Sequence, residues 1–513
     1  MEIKQKEFLN KLISYYDLRE DRLKDVFDQS IDLVKCDDPE LLMIVDRLYE
    51  ARENQEKVFI AGDYDTDGIM ATTILKDVLD HLEIENGYYI PNRYESGYGL
   101  SKKTCQQVYA KGYSLIITVD NGVKSFEAIE FCNSVGLELI ITDHHTIDQD
   151  LDVVNILHPK LLGKEFDGMC GAGMAYLISQ AIYDNDYHTV LAAIATIGDL
   201  MELFFYNRKL VRKGLKLLNE KQYPTIMALF DRPVSNINEK DIAFNIVPKI
   251  NAIGRLKNVS NPNTLIKYFL LNDLKVIKKT SIEITKVNNL RKDRSKEMVS
   301  VLSNEVGNQD ISLIVSEGYD EGLCGLVAGN LCNKNKKPTI VLVKKENSNE
   351  FVGSGRSVIG FNLYEKLNEV SCLFEKFGGH YMAVGLTIKG DKLKDLQDFL
   401  ATVEFSFEVE VDKVIDISIE EANLSNMLVL DYLRPFGQGF KEPLFKISNF
   451  KVDSFSLIKD LYPKWIISNE KSLEAISFDA SLAKKDISFL IGNLSINEYR
   501  KQKKVNLIVT DLK

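Results

Sequence analysis

An acidic segment, Asp63–Gly68, directly follows the apolar run Val58–Ala61 and places three aspartates within five residues. Carboxylates this close repel one another, so we expect a fold to gather them only where cations offset the charge. Two further apolar runs, Leu115–Val119 and Leu139–Thr142, also end at aspartates. Parallel α/β sheets collect their ligand and catalytic groups at the carboxyl ends of strands. These strand ends therefore predict one shared metal site in an α/β fold.

Four segments supply the predicted ligand set, which comprises Asp63, Asp65, Asp67, Asp120, His144 and Asp199. Oxygen and imidazole ligands without thiolate favour Mn²⁺ or Mg²⁺ over a structural zinc. Two such ions clamp the attacking and leaving oxygens of a phosphoryl displacement. His145 is predicted to contact the substrate phosphate or to donate a proton. The alternative is a set of unrelated strand-end turns, in which Asp and Gly are common, and the recurrence over four segments counts against it.

Composition narrows the class of protein. At 513 residues the chain is expected to form two to four domains. No apolar run approaches the length of a membrane span, and Met1–Glu7 is charged, so we expect a cytoplasmic protein without membrane contact. Seven scattered cysteines indicate neither a disulfide framework nor a zinc ribbon. The net charge of −11 argues mildly against a nucleic-acid partner, although a basic groove can lie on an acidic protein.

The pattern of apolar residues changes along the chain. Residues 1–50 are predicted to be helical, and strands alternate with helices from about 57 to 200, which predicts a largely parallel sheet. Residues 264–306 contain no proline or glycine and predict one long helix, whose basic residues form either a solvated face or a stripe facing nucleic acid. A second α/β domain follows over 307–400. Beyond 403, alternation that begins at Phe405, Phe407, Val409 and Val411 predicts a small antiparallel β domain.

The motifs together resemble a known family. Four segments are similar to motifs I to IV of the DHH phosphoesterase superfamily, namely Asp63–Gly68, Val119–Gly122, Thr142–His145 and Gly198-Asp199. Five more resemble the RecJ family of single-strand-specific exonucleases, namely Asn251–Leu256, Gly353–Ser357, Gly360–Leu363, Phe377–His380 and Leu433–Gly439. The segment Ser316–Leu323 departs from that family, which usually has a turn containing Trp and His at this place.

The resemblance implies an α/β fold in which a parallel-sheet DHH domain and a smaller α/β DHH-associated domain are joined by a long helix. A C-terminal OB-fold β domain completes it. The implied boundaries are an N-terminal helical segment over 1–50, the DHH catalytic domain over 51–260, the connecting helix over 261–306, the DHH-associated domain over 307–402 and the nucleic-acid-binding OB domain over 403–513. Two Mn²⁺ or Mg²⁺ ions are implied. His145, Asp143 and Asp120 would be catalytic, with Asp143 supporting His144 and His145 serving the substrate or leaving group.

Substrate contacts are predicted outside the acidic cluster. Glycines let backbone N–H groups approach a phosphate closely, and arginine clamps phosphate oxygens with its planar fork. The alternative for the two glycine-containing segments is a pair of tight turns between strands. With the resemblance added, the predicted substrate-binding residues are Arg255, which follows a glycine in a predicted loop, and Ser354, Gly355, Arg356, Gly378, Gly379 and His380. By contrast, Gly171–Gly173 predicts close packing at a helix start.

The resemblance implies a 5′→3′ exonuclease that releases 5′-mononucleotides from single-stranded DNA during repair and recombination. Single-stranded-DNA-binding protein and a helicase are further candidate partners. One alternative is a DHH phosphodiesterase of short oligoribonucleotides or cyclic dinucleotides, which the β domain after residue 403 disfavours. Another is a catalytically silent replication scaffold, which the complete acidic set disfavours.

Overall fold

The computed structural model describes residues 3–91, 99–153, 155–256, 259–307, 309–404, 413–499 and 502–513. The chain forms two compact units. The larger unit comprises Lys35–Asp199 and Gly214–Glu410, and the smaller comprises Met1–Val34, Leu200–Lys213 and Val411–Lys513. The predicted alternation at residues 405–411 lies outside the described residues.

The described helices are, in chain order, α1 (Ile3–Tyr16), α2 (Glu20–Phe27), α3 (Pro39–Glu53), α4 (Thr66–His81), α5 (Lys102–Ala110), α6 (Phe126–Val135), α7 (Gly171–Ile182), α8 (Asp186–Gly198), α9 (Phe205–Lys221), α10 (Pro224–Met227), α11 (Glu239–Asp241), α12 (Val247–Ile253), α13 (Asn263–Phe269), α14 (Leu274–Leu302), α15 (Cys324–Asn335), α16 (Leu363–Asn368), α17 (Leu393–Ala401) and α18 (Leu424–Leu433). A π-helical turn, Ile242–Ile246, joins α11 to α12. Among the described helices, none combines the length and apolar content needed to cross a membrane.

The strands are β1 (Lys57–Ala61), β2 (Glu85–Tyr89), β3 (Leu115–Val119), β4 (Glu138–Thr142), β5 (Asn155–Leu157), β6 (Ser312–Ser316), β7 (Thr339–Lys344), β8 (Glu350–Arg356), β9 (Phe374–His380), β10 (Ala383–Lys389), β11 (Ile415–Ile417), β12 (Phe445–Ser448), β13 (Lys451–Ile458), β14 (Tyr462–Ser468), β15 (Ser472–Ile476), β16 (Phe489–Tyr499) and β17 (Gln502–Leu512).

The first sheet of the larger unit is fully parallel, in the order β2-β1-β3-β4-β5. Its central strand β3 reads Leu-Ile-Ile-Thr-Val, and every residue of it is buried. A continuous apolar run of this kind is expected where helices cover both faces of a parallel sheet. In this register β1, β3 and β4 are neighbours, so their carboxyl ends lie side by side.

The second sheet of the larger unit is mixed, in the order β6-β7-β8-β10-β9. Strands β6 and β7 are parallel, and the remaining pairs are antiparallel. An apolar core that includes Ile340, Leu342, Leu386 and Leu396 lies against it.

The prediction of one unbroken helix over 264–306 is wrong. The structure has α13 and α14, separated at residues 270–273. The Asp273 side chain accepts hydrogen bonds from the backbone N–H groups of Lys275 and Val276 at 2.8 and 3.2 Å. An aspartate in this N-cap position satisfies helix-terminal donors, so it starts a new helix without any glycine or proline.

The smaller unit is built on a seven-stranded sheet in the order β11-β12-β16-β17-β15-β14-β13. Most pairs are antiparallel, as predicted, but β11 with β12 and β15 with β17 are parallel. Its core joins buried strand residues such as Trp465 and Leu507 to Phe8 and Leu12 of α1. The first helix therefore belongs to the same hydrophobic core as the C-terminal strands.

A buried chain of polar groups links α4, α7 and α8 in the larger unit. The Asp77 carboxylate accepts hydrogen bonds from the Tyr183 hydroxyl at 2.5 Å and from His188 Nε2 at 3.0 Å, and His188 Nδ1 lies 2.7 Å from Ser179 Oγ. Although the residue types are those of a hydrolase triad, Ser179 and His188 are completely buried. The chain of bonds is therefore structural. The hydrogen bond from His188 is the main cause that lowers the pKa of Asp77.

We expect Asp77→Asn to lower the unfolding free energy at pH 7 by about 1–2 kcal/mol, because bonds to a charged acceptor are lost. A carboxylate whose pKa is lower when folded stabilises the protein above its unfolded pKa of about 3.9, and this stability is lost as the pH falls through the folded pKa. The difference between wild type and variant should therefore shrink below about pH 4. Thermal unfolding at pH 7 and pH 3.5 measures this difference, with Asp46→Asn at an exposed position of α3 as the control. A difference independent of pH would contradict the assignment.

Candidate metal centre

The acidic and imidazole side chains of three strand ends meet at one place. Asp63 and Asp120 follow β1 and β3, and each is 2% exposed. Asp120 adopts φ +61°, a conformation that aspartate tolerates better than most residues. His144 follows β4, and Asp199 lies at the end of α8.

His144 lies close to three of these carboxylates. Its Nε2 atom is 3.1 Å from Asp120 Oδ1, 3.5 Å from Asp199 Oδ2 and 3.7 Å from Asp67 Oδ2. Three overlapping groups each place their donor atoms within 4.8 Å of one another: Asp67 with His144 and Asp199, Asp120 with His144 and His145, and Asp63 with Asp65 and Asp120. The structure thus brings all six residues of the predicted ligand set together.

Crowding these carboxylates is electrostatically costly. Burial, together with the charges of Asp67, Asp65, Asp63 and Asp199, raises the pKa of Asp120 well above its ordinary range. Burial and Asp67 raise the pKa of Asp65, and burial followed by the charges of Asp67, Asp65 and Asp63 raises the pKa of Asp199 to about 9. A bound cation would offset this repulsion, since opposite charge favours the ionised form.

The donor set fits a hard divalent cation. It consists of carboxylate oxygens and one imidazole nitrogen, which are ligands for Mn²⁺ and Mg²⁺. Burial lowers the pKa of His144, which favours the neutral ring that a metal ligand requires. Cys170, whose pKa burial raises well above its usual range, is disfavoured as a thiolate ligand.

Two of the aspartates also have local structural contacts. Asp65 caps α4, accepting hydrogen bonds from the N–H groups of Asp67 and Gly68 at 2.9 and 3.2 Å. The Asp67 carboxylate accepts from the first two N–H groups of α7, Gly171 at 2.6 Å and Ala172 at 2.7 Å. The helix start therefore holds a carboxylate of the cluster, which is a favourable position for negative charge.

Gly171 allows α7 to approach the cluster. A Cβ atom on Gly171 would lie 2.5 Å from Asp120 Cβ and 2.8 Å from Asp120 Cα, so the predicted close packing at this helix start is confirmed. We expect Gly171→Ala to displace Asp120 and to lower the turnover rate by about 10²-fold, since a shift of about 1 Å in a reacting group is that costly. Gly307→Ala, where a Cβ atom meets nothing within 4 Å, is the control. Equal activity in a metal-dependent phosphodiesterase assay would contradict this role.

Asp143 orients His145 rather than the ring of His144. Asp143 Oδ1 lies 2.8 Å from His145 Nδ1 and accepts hydrogen bonds from the N–H groups of His144 and His145. The prediction that Asp143 supports the His144 side chain therefore needs correction, because the bond to His144 is to its backbone. Burial alone would lower the pKa of His145, but the hydrogen bond to Asp143 and the charges of Asp143, Asp67 and Asp65 together outweigh burial and raise the pKa.

Sequence reasoning missed two supporting residues. His158 is completely buried, and its Nε2 atom donates to the carbonyl oxygen of His145 at 2.8 Å while Nδ1 accepts from Lys160 N–H. Asn251 Oδ1 accepts from both the N–H and the hydroxyl of Thr66 at 2.8 Å. The only signal for Asn251 was its place in the Asn251–Leu256 motif, and His158 had no signal beyond its residue type.

The predicted substrate residues lie on other elements. Arg255 follows α12, and its Nη1 atom lies 3.4 Å from the carbonyl oxygen of Gly322. The other six lie in the strands β8 and β9, so the alternative of tight turns between strands is wrong for these residues. Arg356, Ala383 and His380 form one row across β8, β10 and β9. Here Gly355 is needed for packing, because a Cβ atom would lie 2.7 Å from Val384.

Comparison with known proteins identifies three domains in this chain. The N-terminal domain of the DHH family matches residues 57–198, the DHHA1 domain matches 298–405 and the RecJ OB domain matches 415–511. The resemblance identified from the motifs is thereby confirmed, as is the α/β fold class with its DHH, DHHA1 and OB parts.

Two relatives named single-stranded-DNA-specific exonuclease RecJ are similar over most of this chain. The protein of Bacillus subtilis (strain 168) is 31% identical over 496 residues, which cover 91% of this chain and 62% of that relative. The protein of Haemophilus influenzae is 28% identical, and the aligned residues cover 91% of this chain and 89% of that relative. The crystal structure of Thermus thermophilus RecJ in complex with Mn²⁺ aligns with a TM-score of 0.82 at 20% identity, covering 98% of this chain and 77% of that one. This last likeness shows a shared fold.

Proposed function

We propose that this protein is a metal-dependent 5′→3′ exonuclease that hydrolyses single-stranded DNA to 5′-mononucleotides. The observation that carries the proposal is the complete cluster of five aspartates and His144, contributed by adjoining strand ends and by α4 and α8, in a chain that also has a RecJ OB domain. Relatives bearing the exonuclease name are similar over 91% of the chain. We place the protein in DNA repair and recombination in the cytoplasm.

We propose Asp63, Asp65, Asp67, Asp120, His144 and Asp199 as the residues that hold two divalent ions. Structures of RecJ from Thermus thermophilus contain Mn²⁺ or Mg²⁺, which agrees with the oxygen-rich donor set. When bound, such a pair neutralises charge on the attacking and leaving oxygens of an in-line phosphoryl displacement.

His145 is proposed to donate a proton to the leaving group. Asp143 engages Nδ1 and favours the protonated ring, so Nε2 is the atom that would give a proton to the departing 3′-oxygen. Arg255, Arg356 and His380 are proposed to hold the phosphates of the strand, together with Ser354, Gly355, Gly378 and Gly379. Ser354 and Gly355 lie in β8, which pairs with a strand on each side, whereas Gly378 and Gly379 lie in β9 at the edge of the sheet.

Single-stranded-DNA-binding protein and a helicase are proposed partners, because a single-strand exonuclease needs a source of unpaired DNA. The proposed domain boundaries remain those given by the motifs, with the DHH domain over 51–260 and the OB domain from 403.

The test compares substrates directly. The protein is incubated with Mn²⁺ and 5′-phosphorylated single-stranded DNA labelled at either end, matched RNA, duplex DNA and a cyclic dinucleotide. We expect mononucleotides to appear first from the 5′ end of single-stranded DNA. Preferential cleavage of short RNA or of the cyclic dinucleotide would replace the proposal with the phosphodiesterase alternative, and no cleavage of any substrate would favour the silent scaffold.

A further inference from the structure

An exposed aromatic ring lies in the segment that supports the metal centre. Phe244 is 75% exposed, the largest exposed fraction among the large hydrophobic side chains that the structure describes. It belongs to the π-helical turn Ile242–Ile246. Turns of this kind are rare and are frequently found at functional sites.

The exposure of Phe244 is imposed by its surroundings. Ile242 and Ile246, on either side of it, are completely buried. The preceding helix begins with a reciprocal pair of hydrogen bonds between Asn238 and Asp241. Phe244 therefore lies in an anchored helical segment and not at a frayed end. Exposure of an aromatic ring to water is unfavourable, so a ligand that covers the ring would gain binding energy.

The helix that continues this turn packs beside the metal centre. Val247, three residues after Phe244, packs against Gly198, where a Cβ atom would lie 3.2 Å from Val247 Cγ2, and Asp199 follows. Three residues of an α-helix rise about 4.5 Å, so the backbone of Phe244 lies within about one helical turn of this contact. Further along, Asn251 bonds to Thr66 of the acidic segment.

We propose that the Phe244 ring stacks on a nucleobase of the single-stranded substrate, next to the phosphate held at the metal centre. The proposal rests on the proposed function and assigns it a base-binding residue. Every base has a π-face, so stacking of this kind gives affinity without sequence preference. The residues three or four positions from Phe244, which share its side of the helix, are Lys240, Asp241, the buried Val247 and Pro248. One isolated ring suits a single base better than a protein surface, which needs a larger apolar patch.

Phe244→Ala is expected to raise KM for 5′-phosphorylated oligo(dT) by about 10-fold, a value within the range measured for loss of one base–aromatic stack. Turnover of bis(p-nitrophenyl) phosphate, which has no base, should be unchanged. Tyr109→Ala is the matched control, because this aromatic side chain is 48% exposed on α5 and lies near the end of that helix.

Phe244→Trp separates this proposal from the proposed function. The native chain has one tryptophan, Trp465, which is completely buried. Titrating the variant with oligo(dT) in EDTA should quench the new indole fluorescence without any turnover. Quenching with no exonuclease activity in Mn²⁺ would support stacking and refute the exonuclease. Exonuclease activity with neither quenching nor a change in KM would overturn stacking alone, as would a change in oligomeric state on Phe244→Ala.

Discussion

Asp120→Asn is expected to abolish exonuclease activity while making the metal-free protein more stable. Loss of a metal-binding carboxylate removes several kcal/mol of transition-state stabilisation, which corresponds to a rate loss of about 10³-fold or more. Without metal, burial and the surrounding carboxylates disfavour the charged form of Asp120. A neutral amide of the same shape removes that repulsion, and asparagine tolerates the φ of +61° at this position.

Thermal unfolding with and without Mn²⁺ checks this prediction. In EDTA we expect the variant to unfold about 1–2 °C above wild type, the shift expected from about 1 kcal/mol in a unit of this size. At an Mn²⁺ concentration of about 100 times the wild-type Kd, wild type should gain about 2.7 kcal/mol and the order should reverse. Asp46→Asn on the exposed face of α3 is the control. The same order of stabilities in both conditions would contradict the shared metal site.

His145→Gln is expected to lower kcat by about 10²–10⁴-fold, the range typical for loss of a general acid. The Asp143 carboxylate holds Nδ1 of His145 and raises its pKa, so this ring is the candidate donor to the departing 3′-oxygen. A sulfur leaving group needs no such proton, because a thiol has a pKa of about 8.5 and its anion therefore leaves readily.

The corresponding measurement uses an oligonucleotide with a bridging 3′-phosphorothiolate at its first linkage. On this substrate we expect the variant to lag behind wild type by less than about 10-fold, so most of the defect should disappear. His81→Gln, a substitution at an exposed histidine of α4, should behave as wild type on both substrates. An equal defect on the oxygen and sulfur substrates would assign His145 to binding instead of proton transfer.

The metal centre was predictable because its signal is local. Each of β1, β3 and β4 is an apolar run followed closely by an acidic residue or histidine, and the carboxyl ends of neighbouring parallel strands must lie at one edge. Asp199 was harder, since it follows a helix, and only the family motif Gly198-Asp199 connected it to the strand ends.

Features that depend on contacts between residues far apart in the sequence could not be predicted from local patterns. Phe8 packs with Phe445 in the core of the smaller unit, with ring centroids 5.7 Å apart, and nothing in residues 1–27 predicts this. The row of Arg356, Ala383 and His380 depends on the register of three strands, whereas isolated glycines suggested loops. The break before α14 depends on one side chain, Asp273, in a segment whose composition favours an unbroken helix.

The most direct test of the account is anomalous diffraction from crystals of the protein grown with Mn²⁺. We expect two anomalous peaks within the cluster, each in contact with oxygens of the aspartates and one in contact with His144 Nε2. We also expect Asp120→Asn crystals to lose at least one of the peaks. An absence of manganese from this cluster, at concentrations that support hydrolysis of single-stranded DNA, would contradict the shared metal site.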